Sequence, residues 1–347
     1  MIRAAVIGAG WYAAENHIPA LARRDDVVLD GVCRHGAEEL ARVRDAFGFA
    51  FAAEDHRDVL ARRPDIVVVA SPHRHHYEHV CDALEAGAHV LCEKPMTLDP
   101  AHAWDLAARA QRLGRHLLLA NGYHYLPHLP AIRARLAAGA IGRIEHVACS
   151  FVSATRAVFD GSVGLTRWQT TFFRPSIDTW QDPEHGGGFA YGQLSHSIAL
   201  LLWLTGLEPR SVAAATFSPA GIDLADAAAL TFADGAVATI SGAAAMPEGH
   251  RALLRLHITG SDGVMSLELD RDTASLHLPG GITEQIPIAP GDWIYTCTGP
   301  VNALADLAHG KGENHAPAAI GAATVSVIAA MLASAHAGGA PQQVAAA

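Results

Sequence analysis

Lysine is nearly absent from this chain. Of its 25 lysines and arginines, only Lys94 and Lys311 are lysines, so arginine serves almost every ordinary surface cation and a lysine needs a reason of its own. Charge is scarce as a whole: 17% of the 347 residues are charged and the net charge is −10, which argues against nucleic acid as a partner. The five cysteines (Cys33, Cys81, Cys92, Cys149, Cys297) form no CxxC pair and no even framework; they fit the reduced thiols of a cytoplasm. Long apolar runs are missing too. Stretches such as Ile198–Leu204 fall far short of the roughly 20 residues that span a bilayer, and Met1–Ile7 has no signal-peptide layout. No membrane partner and a cytoplasmic location are therefore expected.

What is present is globular: half of the residues are hydrophobic, and the length exceeds what one core usually supports, so two domains are expected. The first domain opens with an apolar strand, Ala4–Ile7, followed by Gly8-Ala9-Gly10-Trp11-Tyr12-Ala13 and a helical run to Arg23. This is the GxGxxG/A pattern in its strand–turn–helix setting. Gly8 allows the tight turn, Gly10 lets backbone approach a pyrophosphate, and Ala13 is small enough for the helix to pack on the strand. The second strand, Val27–Cys33, leads to Arg34. Asp30 has roughly the spacing of a ribose-binding acid, but it sits mid-strand, whereas a cofactor lies at the strand's tip. Arg34 at that tip suits a 2′-phosphate, so NADP(H) is expected over NAD(H). Stacking of Arg34 on adenine, which would tolerate either, is the alternative.

Helices are expected over Ala37–Phe47 and Asp58–Arg63, then the apolar strand Pro64–Ala70. The turn beyond it, Ser71-Pro72-His73-Arg74-His75-His76, precedes a helix over Tyr77–Ala86. Its histidines match no standard metal-ligand spacing, so no metal is expected. The next apolar run, Ala88–Cys92, ends at Glu93-Lys94-Pro95. Pro95 disfavours helix at Lys94, and ligands bind beyond the carboxyl ends of parallel strands. Lys94 is therefore expected to point at a ligand crevice. A helix over Pro100–Leu113 and a strand over Leu117–Ala120 lead to Asn121, a further polar tip. This alternation predicts an α/β, Rossmann-type parallel sheet in residues 1–121.

Residues 122–347 read differently. Helices are expected over Ala131–Ala138 and Ser197–Leu204, and an irregular, aromatic-rich segment over Phe159–His185 holds Trp168, Phe172, Phe173 and Trp180. Strand patterns then dominate: Ile144–Ala154, Ser211–Phe217, Ala227–Ala233, Val237–Ala245, Leu253–Thr259, Val264–Leu269 and Ala274–Leu278. Period-2 alternation and Asp-Gly turns imply an α+β domain with a large, open, mainly antiparallel sheet. A sheet with one uncovered face often hides it by self-association, so a homodimer or homotetramer is expected through this domain. The helices Val301–His309 and Ala316–Ala335 are expected to pack back on the first domain or an interface.

The chain resembles the Gfo/Idh/MocA family of oxidoreductases. The resemblance is carried by Gly8-Ala9-Gly10, Ser71-Pro72 with His76, the block Ala86-Gly87-Ala88-His89-Val90-Leu91-Cys92-Glu93-Lys94-Pro95, Gly122-Tyr123, Gly186-Gly187-Gly188, His196 and Ile258–Gly263. It implies an NAD(P)-dependent dehydrogenase or reductase acting on the CH–OH group of a sugar, cyclitol or related polyol. It also implies a cofactor set of Gly8, Gly10, Trp11, Tyr12, Arg34, Ser71, Pro72, His73, His76, Glu93, Lys94 and Asn121. Catalysis would fall to Lys94, His196 and Tyr191, with Tyr123, Trp168, Gln193, Lys94 and His196 touching substrate. Lysine beside a nicotinamide, partly desolvated, is able to relay the hydroxyl proton, and histidine titrates in range.

The match breaks at two carboxylates. Where the family carries an aspartate four residues before the histidine, this chain has Gly192; where one often follows three residues later, it has Ala199. His196 must be oriented by something else, Tyr191 and Gln193 being nearest in sequence. Two other readings therefore stand beside the dehydrogenase: a redox-assisted lyase or glycosidase that retains NAD(H), and a regulator that binds dinucleotide without chemistry.

Overall fold

A computed structural model describes residues 1–160, 172–173 and 178–347. The chain divides into two compact units. The first holds the described residues of Met1–Gly122, Leu165–Thr179 and Thr296–Ala322; the second those of Tyr123–Gly164, Trp180–Tyr295 and Ala323–Ala347.

The first unit is built on six strands: β1 Ile2–Ile7, β2 Val27–Cys33, β3 Phe51–Ala53, β4 Ile66–Val69, β5 His89–Cys92 and β6 Leu117–Leu119. They lie in the order β3-β2-β1-β4-β5-β6, and every neighbouring pair is parallel. That is the doubly wound order in which the chain leaves a central strand first to one side and then to the other. The middle strands show why. All four residues of β4 and Ala4–Ile7 of β1 are inaccessible to solvent, the apolar filling that a parallel sheet covered on both faces requires. Side-chain caps fix two helix starts: Asp55 accepts from the Arg57 N–H and Asp99 from the Ala101 N–H, each satisfying an orphan donor of the first turn. The three-residue β3 has no counterpart in the sequence reading, because Phe-Ala-Ala is too short to show a period.

Since all six strands run the same way, their carboxyl ends lie along one edge. Gly8, Arg34, Ser71, Glu93-Lys94 and Asn121 all follow strand ends there. Gly8 adopts φ +84°, and a Cβ on it would collide with the backbone N and Cα of Ser71. Glycine is thus demanded both by the turn and by the close approach of two strand tips.

The second unit carries nine strands: β7 Ile144–Val152, β8 Pro209–Phe217, β9 Ala225–Phe232, β10 Val237–Ala243, β11 Leu253–Gly260, β12 Gly263–Glu268, β13 Thr273–Leu278, β14 Ile282–Ile286 and β15 Gln342–Gln343. Their order is β14-β13-β12-β11-β7-β10-β9-β8-β15. Neighbours are antiparallel except β7 and β10, which pair in parallel. One face is cored by Val147, Cys149, Phe151, Leu230, Ile240, Leu256 and Ile258; on the other, Ala227, Ala229, Thr231, Val237, Thr239 and Ser241 are exposed.

The expectation that no stretch is long enough to cross a bilayer needs correction. The helix Ala318–His336 runs for 19 residues with a hydropathy of 1.9, long and apolar enough by length and composition. Its alanine-rich run, punctuated by Gly321, Thr324, Ser326 and Ser334, hid it from a search for unbroken bulky apolar residues. In the fold it is mostly buried, with Ala322, Val327, Ile328 and Met331 inaccessible, as a core helix is.

Two glycines of the first loop make a test. Gly8→Ala should lower thermal stability by about 1–3 kcal/mol or more, from positive-φ strain and the Ser71 collision. Gly10→Ala, whose added Cβ would meet nothing nearer than the Gly8 carbonyl at 3.9 Å, should melt close to the parent. Equal melting temperatures for the two variants would show that the Gly8 turn is not a structural requirement.

Candidate functional site

In the first unit, the glycine loop opens into a helix whose first turn, Ala13–His17, is π-helical before Ile18–Ala22 continues as α-helix. Pro19 has no N–H to donate, so the ordinary ladder cannot run through this junction. A Cβ at Gly10 would meet only the Gly8 carbonyl, at 3.9 Å, and the loop with its helix N-terminus offers amides to a phosphate. Arg34 folds over this loop. Its Nη1 donates to the Ala9 carbonyl at 3.1 Å and its Nε to the His35 carbonyl at 3.1 Å, with the guanidinium 3.8 Å above the Phe173 ring. Burial draws Arg34 below the usual arginine range. Asp30 is committed elsewhere: it is buried and receives hydrogen bonds from Arg3 and Arg62, whose charges hold it ionised in mid-strand.

Ser71 and His73 are buried at the tip of β4, with Pro72 between them exposed. His76 is fully buried, with Nε2 2.7 Å from the Ser71 carbonyl and Nδ1 2.9 Å from the Pro95 carbonyl. Burial keeps its pKa below the ordinary histidine value, so a single ring proton serves one carbonyl or the other. Its position makes His76 a brace between the β4 and β5 tips. The remaining histidines of this turn pack together: His75 and His79 stack at 5.7 Å, and His79 lies 4.4 Å from His56 between ring centres. Burial and these neighbours push His79 down to about 3. Among the described residues, His56, Glu78 and Asp82 bring ligand atoms within 4.8 Å of one another. That cluster is already compensated: His56 lies 2.7 Å from Asp82, while Arg57 pairs with Glu78 at 2.6 Å and Asp82 at 3.5 Å.

The β5 tip brings Glu93 and Lys94 to the same sheet edge. Glu93 accepts the Lys94 backbone N–H at 3.1 Å and lies 2.7 Å from His17 Nε2. The Lys94–Pro95 peptide is cis. Burial draws the Lys94 amine below the usual lysine value, opposed by the charges of Glu93 and Cys297. For Glu93, burial pushes upward, but the His17 hydrogen bond and the neighbouring Lys94 bring it below its ordinary value. Tyr12 Oη is 2.9 Å from Cys297 Sγ, which places Cys297 beside the same cluster. Trp11 packs edge-on to Tyr12, and Asn121 is buried at the β6 tip. Sequence reasoning missed His17 and Cys297: no local pattern marks a histidine one turn into a helix, or a cysteine about 200 residues away in the chain, as a neighbour of Lys94.

In the second unit, the helix carrying His196 also begins in a π-helical turn, Ala190–Leu194, and continues as Ser195–Thr205. Tyr191 and His196 are buried and Gln193 partly so. His196 sits in an aromatic surround: Tyr123 at 5.7 Å, Tyr295 at 5.3 Å and Phe151 at 6.3 Å between ring centres, each edge-on. Tyr123 also packs on Tyr295 at 4.8 Å, and burial drives its hydroxyl well above the usual tyrosine value. Tyr295 was not foreseen. Trp168 lies outside the described residues.

Gly192 has a physical reason. A Cβ there would stand 2.6 Å from Phe159 Cζ and 2.8 Å from Cε1, and Phe159 is itself buried. Carboxylates do occur close by, at a different place. Asp223 Oδ2 accepts the Ala190 N–H at 2.6 Å and its carbonyl accepts the Phe189 N–H at 3.0 Å, which ties down the start of the His196 helix. Asp226 is buried against Asp223. Burial and the neighbouring carboxylate raise Asp226 to about 8. Burial and a nearby carboxylate both favour the protonated form, so Asp226 keeps its proton at neutral pH.

With the geometry in place, the comparisons decide the kinship. Residues 2–121 match the family model described as "Oxidoreductase family, NAD-binding Rossmann fold", and residues 130–266 match "GFO/IDH/MocA C-terminal domain". The chain belongs to the Gfo/Idh/MocA family. It is 34% identical over 144 residues to D-glucoside 3-dehydrogenase of Escherichia coli K12, 41% of each chain, and 37% identical over 133 residues to the D-xylose 1-dehydrogenase (NADP(+)) of Hypocrea jecorina, 36% of this chain and 34% of that one. The matches thus span well under half the length of these relatives. The fold is shared over the whole chain with an oxidoreductase domain protein from Kribbella flavida (TM-score 0.81, 22% identity, covering 100% of this chain and 99% of that one). It is shared equally with levoglucosan dehydrogenase in complex with NADH and levoglucosan (TM-score 0.80, 19% identity, covering 99% and 100%).

The Asp223–Asp226 pair sets a pH dependence. The folded-state affinity of Asp226 for its proton exceeds that of an unfolded aspartate, so the folded form binds more protons between about pH 4 and 8, and stability falls as pH rises through that window. Each tenfold in proton affinity is worth about 1.4 kcal/mol. Asp226→Asn is neutral at every pH and removes the titration. Its melting temperature should therefore overtake the parent's by pH 8.5 while trailing or matching it at pH 5. Parallel profiles of melting temperature against pH would refute the raised proton affinity of Asp226.

Proposed function

We propose that this chain is a nicotinamide-dependent oxidoreductase acting on the CH–OH or carbonyl group of a sugar, cyclitol or related polyol, with NADP(H) preferred over NAD(H). The observation that carries the reading is the desolvated amine of Lys94 at the tip of β5, on the same sheet edge as the glycine loop. The names of the glucoside and xylose dehydrogenase relatives support the substrate class, and the NADP-dependent xylose relative supports the cofactor.

The residues fit the cofactor. The uncrowded Gly10 backbone, with only the Gly8 carbonyl within 4 Å of an added Cβ, and the loop amides suit a pyrophosphate, and Arg34, held over the loop by Ala9, suits a 2′-phosphate. When bound, the nicotinamide supplies the hydride chemistry. The protein's task is the proton. An amine drawn below the usual lysine range has a larger neutral fraction at physiological pH, so Lys94 takes the hydroxyl proton in oxidation and returns it in reduction. His196 and Tyr191 assist, and Tyr123, Gln193 and Trp168 contact substrate. A regulator that binds dinucleotide without turnover is the second reading, sustained by Gly192, where Phe159 takes the room of the family's carboxylate.

The decisive measurement is turnover by the purified protein with NADP and NAD across a sugar and polyol panel that includes D-xylose and a D-glucoside. Lys94→Ala should lower kcat by at least about a hundredfold with cofactor affinity largely kept. Arg34→Ala should weaken NADP binding far more than NAD binding. Activity undiminished in the first, or equal losses in the second, would overturn the respective role; NADPH binding without turnover on any compound would favour the regulator.

We further propose a homodimer or homotetramer through the exposed face of β8, β9 and β10, which presents small side chains and hydroxyls in place of charge, and a cytoplasmic location, which the five free cysteines support. Thr239→Arg, at the middle of that face, should reduce the mass measured by light scattering. An unchanged mass in that variant, or a monomeric parent, would remove the face from the assembly.

A further inference from the structure

His17 is an unforeseen neighbour of the Lys94 cluster, and its surroundings constrain it closely. It is inaccessible to solvent, in the π-helical turn directly after the glycine loop. Its Nε2 lies 2.7 Å from Glu93 Oε1, and the Tyr12 ring packs edge-on against it at 5.5 Å. Its other ring nitrogen, Nδ1, is buried and has no hydrogen-bond partner among the described residues. A proton on Nδ1 would be a buried donor with nowhere to go, so the ring carries its proton on Nε2 and donates it to Glu93. The opposite carboxylate oxygen, Glu93 Oε2, takes the Lys94 backbone N–H. Glu93 is thus gripped from both sides.

We propose that His17 is a positioning residue that acts through Glu93: its Nε2–H holds the buried carboxylate ionised and in place, and so supplies the Lys94 amine with its counter-charge. The inference rests on the reading of Lys94 as the proton relay. Its physical content is a balance of opposed effects. Burial alone would drive Glu93 upward until it took a proton; the hydrogen bond from His17 is the first of the effects that reverse this. A neutral Glu93 would remove the larger of the two influences, Glu93 and Cys297, that oppose the effect of burial on Lys94. Other titratable groups at this place include Tyr12, bonded to Cys297, and His76 and Cys92, which both feel the Glu93 charge. His17 therefore lets a lysine sit desolvated without losing its proton altogether, which a residue cycling between acid and base requires.

The near-absence of lysine makes the test direct. Protein grown on [13Cε]lysine gives two lysine resonances, and Lys311→Arg assigns the one from Lys94, whose titration midpoint is then read without substrate or cofactor. His17→Phe should lower that midpoint by about one pH unit or more, Glu93→Gln by at least as much, and the double variant no further than Glu93→Gln alone. His17→Gln, whose amide also donates, should restore most of the parent value. An unmoved midpoint in folded His17→Phe overturns the proposal, as does a His17 effect that persists once Glu93 is glutamine. Should His17→Phe not fold, the 15N ring shifts of His17 in the unsubstituted protein decide: an Nε2–H tautomer supports the proposal and an Nδ1–H tautomer sinks it. Lys94→Ala keeps the two ideas separable, since wild-type turnover in that variant ends the proton-relay reading while the lysine titration still settles what His17 does.

Discussion

The structure turns on an ammonium and a carboxylate taken out of water together at the end of a parallel strand. Removing such a pair from solvent costs several kcal/mol per ion even after relaxation, and apolar residues of similar size would pack there with less penalty. A fold keeps the pair only if something holds it. Here the grip is distributed over the strand tips: Glu93 receives the Lys94 amide and faces His17, His76 braces the Pro95 and Ser71 carbonyls, and Gly8 lets the first loop close on Ser71. The sheet's parallel order brings these groups to one edge, so the topology is the cause of the cluster and its local chemistry follows.

The second unit solves a comparable problem by other means. Its imidazole is surrounded by rings rather than carboxylates, with Tyr123, Tyr295 and Phe151 edge-on around His196. Acidic groups are nonetheless present at the start of the same helix, where Asp223 takes two backbone amides and Asp226 leans on Asp223. Both helices that carry candidate residues also begin in a π-helical turn. Such turns widen the helix and re-aim the side chains that follow, and they recur at functional sites.

Much of the fold was legible from residues alone. The unbroken apolar strands β1 and β4, the glycine loop between strand and helix, and the alternation in β9 and β10 each carry a period or a breaker that physics reads in one way. The three-residue β3 and the edge strands β14 and β15 carried too few residues to show one, and Ala318–His336 was masked as an apolar helix by its small side chains. The site was legible where its residues follow strand ends, as Arg34 and Lys94 do. It was illegible where tertiary contact does the work: nothing near His17, Cys297 or Tyr295 in sequence announces which groups they meet. Asp226 was unforeseen for a simpler reason. It shares the inward register of Ala228, Leu230 and Phe232, but the strand was expected to begin only at Ala227.

Phe159 against Gly192 couples two positions far apart in the chain. A carboxylate cannot be set at Gly192 by one substitution without displacing the ring, because the first carbon of the new side chain would already overlap it. The ring would have to shrink first, opening a hole in a packed core before any benefit arrived, and deleting a buried Phe side chain costs about 3–5 kcal/mol. Each change is harmful alone, so the Phe159 ring and the bare backbone at Gly192 are exchanged only together.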